Sequence, residues 1–257
     1  MSWDECVEEK QIMKINVYHV TSSIFIKSIK ENGLMGIDLR RRLPELCPAM
    51  NEMIETLDAK YSDHGYDWGE AAGFHDNCRR MANLSFENGS GMDFEYGNLY
   101  ATTAFDRIER YYGYKYGSEL LTYFYKLYHC LYQKHNDGSK AAFDAKYSKL
   151  VRILQIENKQ NLILKFEPDI ADLLTDTGHP IDDAMKKLML SDYFKGFYPA
   201  SYRVTRHIMP DEIEVLTLAK DDFISHGKLS EFVVPEEWEQ ISLDDGVCES
   251  FSVNEIS

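Results

Sequence analysis

Val17-Tyr18-His19-Val20-Thr21-Ser22 closes a run, Ile12 to Val20, whose side chains alternate. Met13, Ile15, Val17 and His19 share one face, and Lys14, Asn16 and Tyr18 share the other. That is the period-two pattern of a half-buried strand. Thr21-Ser22-Ser23 supplies N-cap side chains, Ile24, Phe25 and Ile29 make a short apolar stripe, and Asn32-Gly33 ends it with glycine placed as a C′ residue. The opening unit is therefore read as strand, cap, short helix and glycine stop.

The same grammar recurs downstream. Leu99 to Thr102 reads as a second strand, and Thr103 as the cap of a helix with Asp106 at N3. Ala104, Ile108 and Tyr111 keep helical spacing in it, and Gly113 ends it. Asn161 to Phe166 is a β-rich run before Pro168, and Ala184 to Leu190 is helical. Ser201 to Ile208 and Glu212 to Leu218 are strand-like, parted by Met209-Pro210-Asp211. Between these lie helical insertions at about 38–95, where Met50, Met53, Ile54 and Leu57 keep helical spacing, and at about 114–160. The second insertion holds helices over 118–133 and 139–156, whose Tyr123, Tyr125, Tyr128 and Tyr132 read as packing. The expected architecture is α+β. Residues 1–220 form one domain, and 221–257 form an acidic C-terminal segment with one strand at Glu231 to Val234.

Composition narrows the function classes. The 257 residues are 44% hydrophobic and 13% aromatic, which excludes disorder. No apolar run approaches the ~20 residues of a membrane span, and Met1 to Cys6 has no apolar leader core, so neither membrane nor secretion is expected. Cys6, Cys47, Cys78, Cys130 and Cys248 are odd in number and widely spaced, as in a reducing cytoplasm. Of the net charge of −15, residues 221–257 carry −9 and residues 1–10 carry −3, leaving a nearly balanced body. That argues against non-specific DNA binding. Arg40-Arg41-Arg42 and Arg79-Arg80 are the dense basic spots, and they read as solvated helix ends. His64, His75 and Cys78 lack a fourth zinc ligand, so no metal is expected. Cys78 beside Arg79 reads as a buried thiol. No dinucleotide glycine fingerprint, P-loop or nucleophile elbow is found.

Three segments remain: Val17 to Ser22, Gly97-Asn98-Leu99-Tyr100-Ala101-Thr102-Thr103, and Met209-Pro210-Asp211-Glu212-Ile213-Glu214-Val215-Leu216. Together they resemble the ADP-ribosyltransferase family. Its His-Tyr-Glu branch, which includes diphtheria-type toxins and poly-ADP-ribose polymerases, has a strand ending Y-H-x-T, a strand L-Y-x-[ST] leading into a helix, and a late strand carrying Glu. Tyr111 follows Tyr100 at the family's eleven-residue distance. Glu212-x-Glu214 is similar to the E-x-E of the Arg-Ser-Glu branch, which mixes the signature.

The resemblance implies a split-sheet ADP-ribosyltransferase-like fold. It also implies transfer of ADP-ribose from NAD, used as substrate, to a macromolecular acceptor (protein, RNA or DNA). A bacterial toxin or phage-defence effector, with a neutralising antitoxin as a partner, is the setting it implies. His19 would hold a hydroxyl of the adenosine ribose, with Thr21 as polar neighbour. Tyr100 and Tyr111 would stack on the nicotinamide, an arrangement worth about 0.5–1.5 kcal/mol beyond area burial. Glu214 would stabilise the oxocarbenium-like charge on the ribose, and Glu212 would orient the acceptor. An NAD glycohydrolase or a tRNA 2′-phosphotransferase-like enzyme on the same fold is the enzymatic alternative. A catalytically silent binding module is the alternative of another class.

Overall fold

The computed structural model describes residues 13–61, 74–83, 97–112, 116–189, 201–219 and 222–241. Their centre is a seven-stranded, wholly antiparallel sheet. The strands are β1 (Val17–Ser22), β2 (Leu99–Thr102), β3 (Asn161–Phe166), β4 (Leu173–Thr175), β5 (Ser201–Val204), β6 (Glu214–Ala219) and β7 (Asp222–Lys228). Their spatial order is β4-β5-β2-β1-β3-β6-β7. β1 runs along the whole of β3, from Val17↔Phe166 to Ser22↔Asn161. Against β2 it pairs at Tyr18↔Thr102 alone. Two halves of the sheet thus meet at one register pair.

Alternation gives the sheet two unlike faces. Val17, Leu162, Leu164, Phe166, Tyr202 and Val204 look into the main core, which also contains residues of the helices α1 (Ile26–Asn32), α3 (Leu46–Tyr61), α4 (Phe74–Asn83) and α6 (Glu119–Lys134). Each fully buried aliphatic or aromatic side chain there contributes about 1.5–3 kcal/mol. On the other face Ile163 and Leu216 pack under Ile108 of α5 (Phe105–Tyr112), with Tyr18, Val20 and Tyr112 around them. The remaining helices among the described residues are α2 (Leu39–Arg42), α7 (Asp137–Lys146), α8 (Ser148–Leu154) and α9 (Asp183–Met189).

Several local expectations shift. β1 runs on through Ser22, and a 3-10 turn over Ser23–Phe25 precedes α1. Ser23 does not cap that helix; its Oγ accepts the Gln160 N–H at 2.8 Å. Gly33 does stop α1, at φ 77°, and donates its N–H to the Ile29 carbonyl. Thr102, not Thr103, has the hydroxyl that accepts the Ala104 N–H before α5. The helix expected over 139–156 breaks at Tyr147 (φ −110°, ψ 24°), whose hydroxyl donates to Glu52.

Glu212 lies in a 3-10 turn, Pro210–Glu212, not on a strand. Glu231 to Val234 forms no strand, whereas β7 precedes it. Beyond β7, Leu229 is fully buried and the chain crosses α1. Lys30 Nζ donates to the Phe232 carbonyl at 2.6 Å, and the Ile241 N–H to the Ile24 carbonyl at 3.0 Å. His64 and the loop at 88–91 lie outside the described residues.

Candidate functional site

β1 and β2 are neighbours at the middle of the sheet, so His19 and Tyr100 come together across the point where their ladder stops. The Tyr100 carbonyl accepts a 2.8 Å hydrogen bond from His19 Nδ1. A carbonyl can only accept, so Nδ1 carries the proton and Nε2 is left with a lone pair in the neutral ring. Burial lowers the His19 pKa, and the Tyr100 carbonyl opposes this less strongly. His19 is therefore a neutral imidazole near pH 7, half-buried, with its acceptor nitrogen fixed by the backbone of the next strand.

Thr21 follows two residues later on the His19 face and is buried, at 2% exposure. Gly117 closes over this strand end at φ +59°. A Cβ on it would lie 2.3 Å from the Ser22 nitrogen, so only glycine allows the approach. Tyr100 itself is half-buried on the opposite face, in register with Arg203 of β5. Tyr111 lies in α5, and its side chain is outside what the structure describes.

The two carboxylates are elsewhere. Glu214 is in register with Lys165, which is in register with Tyr18, so Glu214 is on the face opposite His19. It is three strand spacings from Tyr100, about 14 Å along the sheet. Lys165 Nζ donates to its Oε2 at 3.1 Å and Ser225 Oγ to its Oε1 at 2.6 Å. The Ser225 bond, and after it Lys165, hold the carboxyl below its usual pKa.

Glu212 takes a two-pronged contact from Arg206, at 2.9 and 2.6 Å, and accepts the Met209 N–H. The Arg206 bonds dominate in holding its pKa at about 2. The structure thus joins His19 to the Tyr100 backbone and ties both glutamates to cations at other places.

Within the dense basic spots, Arg40 forks onto Asp38 and Arg79 meets Asp58. Among the described residues no group of His, Cys, Asp or Glu could hold a metal. Cys78 and Cys130 are buried, and Cys47 is a half-buried free thiol.

A feature not foreseen is an open groove of about 350 Å³ between the start of β2 and the end of β5. Arg203, Arg206, His207, Asn98 and Thr205 line it. Its signal in the sequence, Arg203-Val204-Thr205-Arg206-His207, is diluted by spacing and gains density only when β5 is laid beside β2. No family model, curated protein or solved structure matches the chain.

Proposed function

We propose that the protein binds NAD where β1 meets β2 and transfers its ADP-ribose to a macromolecular acceptor. The observation that supports this most is the His19 Nδ1–H bond to the Tyr100 carbonyl, at 2.8 Å. It presents Nε2 as a fixed acceptor for a sugar hydroxyl, the task that resemblance to ADP-ribosyltransferases gives this histidine. A neutral ring suits that task, because an imidazolium has no lone pair to offer. Tyr100 supplies an aromatic face beside the same junction, and Tyr111 is its proposed partner against the nicotinamide. An antiparallel sheet whose halves meet at one pair accords with a split-sheet transferase core.

Glu214 is not assigned the oxocarbenium role in this reading, since it lies three strand spacings from Tyr100 with its carboxylate held by Lys165 and Ser225. That placement favours a second reading: a module that binds NAD without breaking it. Incubating the pure protein with NAD labelled in the adenosine, together with separate protein, RNA and DNA pools, distinguishes the two. Label on one pool supports transfer and names the acceptor. Free ADP-ribose alone indicates a glycohydrolase, and intact NAD retained by the protein indicates the silent module. Absence of any NAD binding would remove both readings.

A further inference from the structure

Leu34 and Ile208 form an isolated antiparallel bridge that ties the end of α1 to the chain after β5. They exchange both backbone hydrogen bonds, at 2.8 and 3.0 Å, and their side chains are buried, at 3% and 0% exposure. Alternation turns their neighbours outward, Gly33 and Met35 on one segment and His207 and Met209 on the other. Antiparallel pairing sets Met35 opposite His207 and Gly33 opposite Met209. Both methionines stand out to solvent, at 45% and 50% exposure. His207 leans off its own rung. A Cβ on Gly33 would lie 2.2 Å from its Nε2 and 2.9 Å from its Cδ2, so the imidazole rests on the glycine that faces Met209. The ring thus lies between the Met35 rung and the Met209 rung, and only a residue without a side chain leaves it that room. Its Nε2–Cδ2 edge is turned to the glycine, which puts Nδ1 on the far edge. Among the described residues neither ring nitrogen has a hydrogen-bond partner. Met35 and His207 also line the open groove, so solvent reaches them. The adjacent Arg206 is held by Asp172 and Glu212, two carboxylates for one guanidinium, and so sets no net positive charge against a cation there.

We propose that Met35, His207 and Met209 form a binding site for Cu(I). Two thioethers and one imidazole are a soft donor set, which selects Cu(I), and no carboxylate stands among them to suit Mg²⁺, Ca²⁺ or Mn²⁺. Cβ atoms directly across such a ladder are about 4.5–5.5 Å apart and diagonal ones about 7–8 Å. Methionine is unbranched with three rotatable bonds, so each thioether closes that gap by rotation while the ring stays on Gly33. Thioethers lie outside the His, Cys, Asp and Glu donors of ordinary metal clusters. The third ligand also comes from a distant segment, so His207-Ile208-Met209 alone does not announce the site. The proposal does not depend on the transferase reading.

The test uses the full chain with ¹³C-labelled methionine methyl groups. Ag(I), a soft stand-in for Cu(I) that air does not oxidise, is added stepwise, past what the five cysteines take up, so that thiol binding does not hide the thioethers. The methyl signals of Met35 and Met209, assigned by their loss in Met35→Leu and Met209→Leu, should move together along one isotherm. Signals that stay still while the thiols fill, or that move on separate isotherms, overturn the site. The second measurement is anaerobic competition for Cu(I) against a coloured chelator. Met35→Leu, Met209→Leu and His207→Gln should each weaken the site by about tenfold or more, in proteins that still melt cooperatively because all three side chains are exposed. Affinity equal to the parent's in any of the three removes that residue as a ligand and overturns the three-ligand site. If a variant does not fold, the methyl titration of the parent decides.

Discussion

His19 is the residue whose chemistry depends most on where the fold has put it. Burial lowers its pKa, so the folded protein resists a proton that the unfolded chain accepts. Its contribution to stability is whole above the unfolded value of about 6.5 and is lost as pH falls from there to the lower folded value. The fall in Tm between pH 7 and pH 5 should therefore be smaller in His19→Asn than in the parent; parallel curves would show that the ring is not desolvated. His19→Ala should weaken NAD binding by about tenfold with the melt still cooperative, measured by titration. Glu214 is predicted to behave differently. Its pair with Lys165 leaves each side chain 29% exposed, and such pairs are worth up to about 1 kcal/mol. Glu214→Gln should lower stability by no more than that and leave NAD affinity within about twofold. A loss of turnover on the order of 10²–10³ in a folded Glu214→Gln protein would restore the catalytic role its motif implies.

Among the elements, β1 carries the greatest demands. It is central, with β3 zipped along one edge and β2 touching at one pair, and its last residues lie under Gly117. The backbone of Ser22 is so close that glycine is needed twice over, for φ and for space. Gly117→Ala should cost about 2 kcal/mol or more in urea denaturation, at an unchanged m-value. A cost near zero would mean that α6 can slide without disturbing β1. Thr102 similarly joins two elements, ending β2 and accepting the Ala104 N–H that leads into α5. β6 and β7 form a hairpin closed at Ala219↔Asp222. β7 is mostly exposed along its length, which is why hydrophobic alternation does not announce it.

Across the whole molecule, the acidic end serves two ends of the structure. Residues 221–257 hold −9 of the net charge, but the Phe232 and Trp238 rings pack tilted with centroids 6.0 Å apart, and Gln240 and Ile241 hydrogen-bond to the backbone of Lys27 and Ile24. A chain ended at Pro235 should melt about 4 °C or more below one ended at Ile241, because it loses the side chains that strap α1. Equal melting temperatures would return residues 236–241 to a purely solubilising role. Sequence alone carried the strand Leu99 to Thr102, the strand Asn161 to Phe166, the glycine stop at Gly33 and the α+β class, because each is written in local periodicity or in one residue's backbone freedom. It did not carry the strand order. Which strand flanks Tyr100 depends on long-range hydrogen bonding, and that choice put Arg203 of β5 there and left Glu214 three strands away. Nor could it give the face of Glu214, since one step of register turns every side chain on a strand over. Glu212 left the strand because Pro210 lacks an N–H and Arg206 offered its carboxylate a stronger partner than solvent.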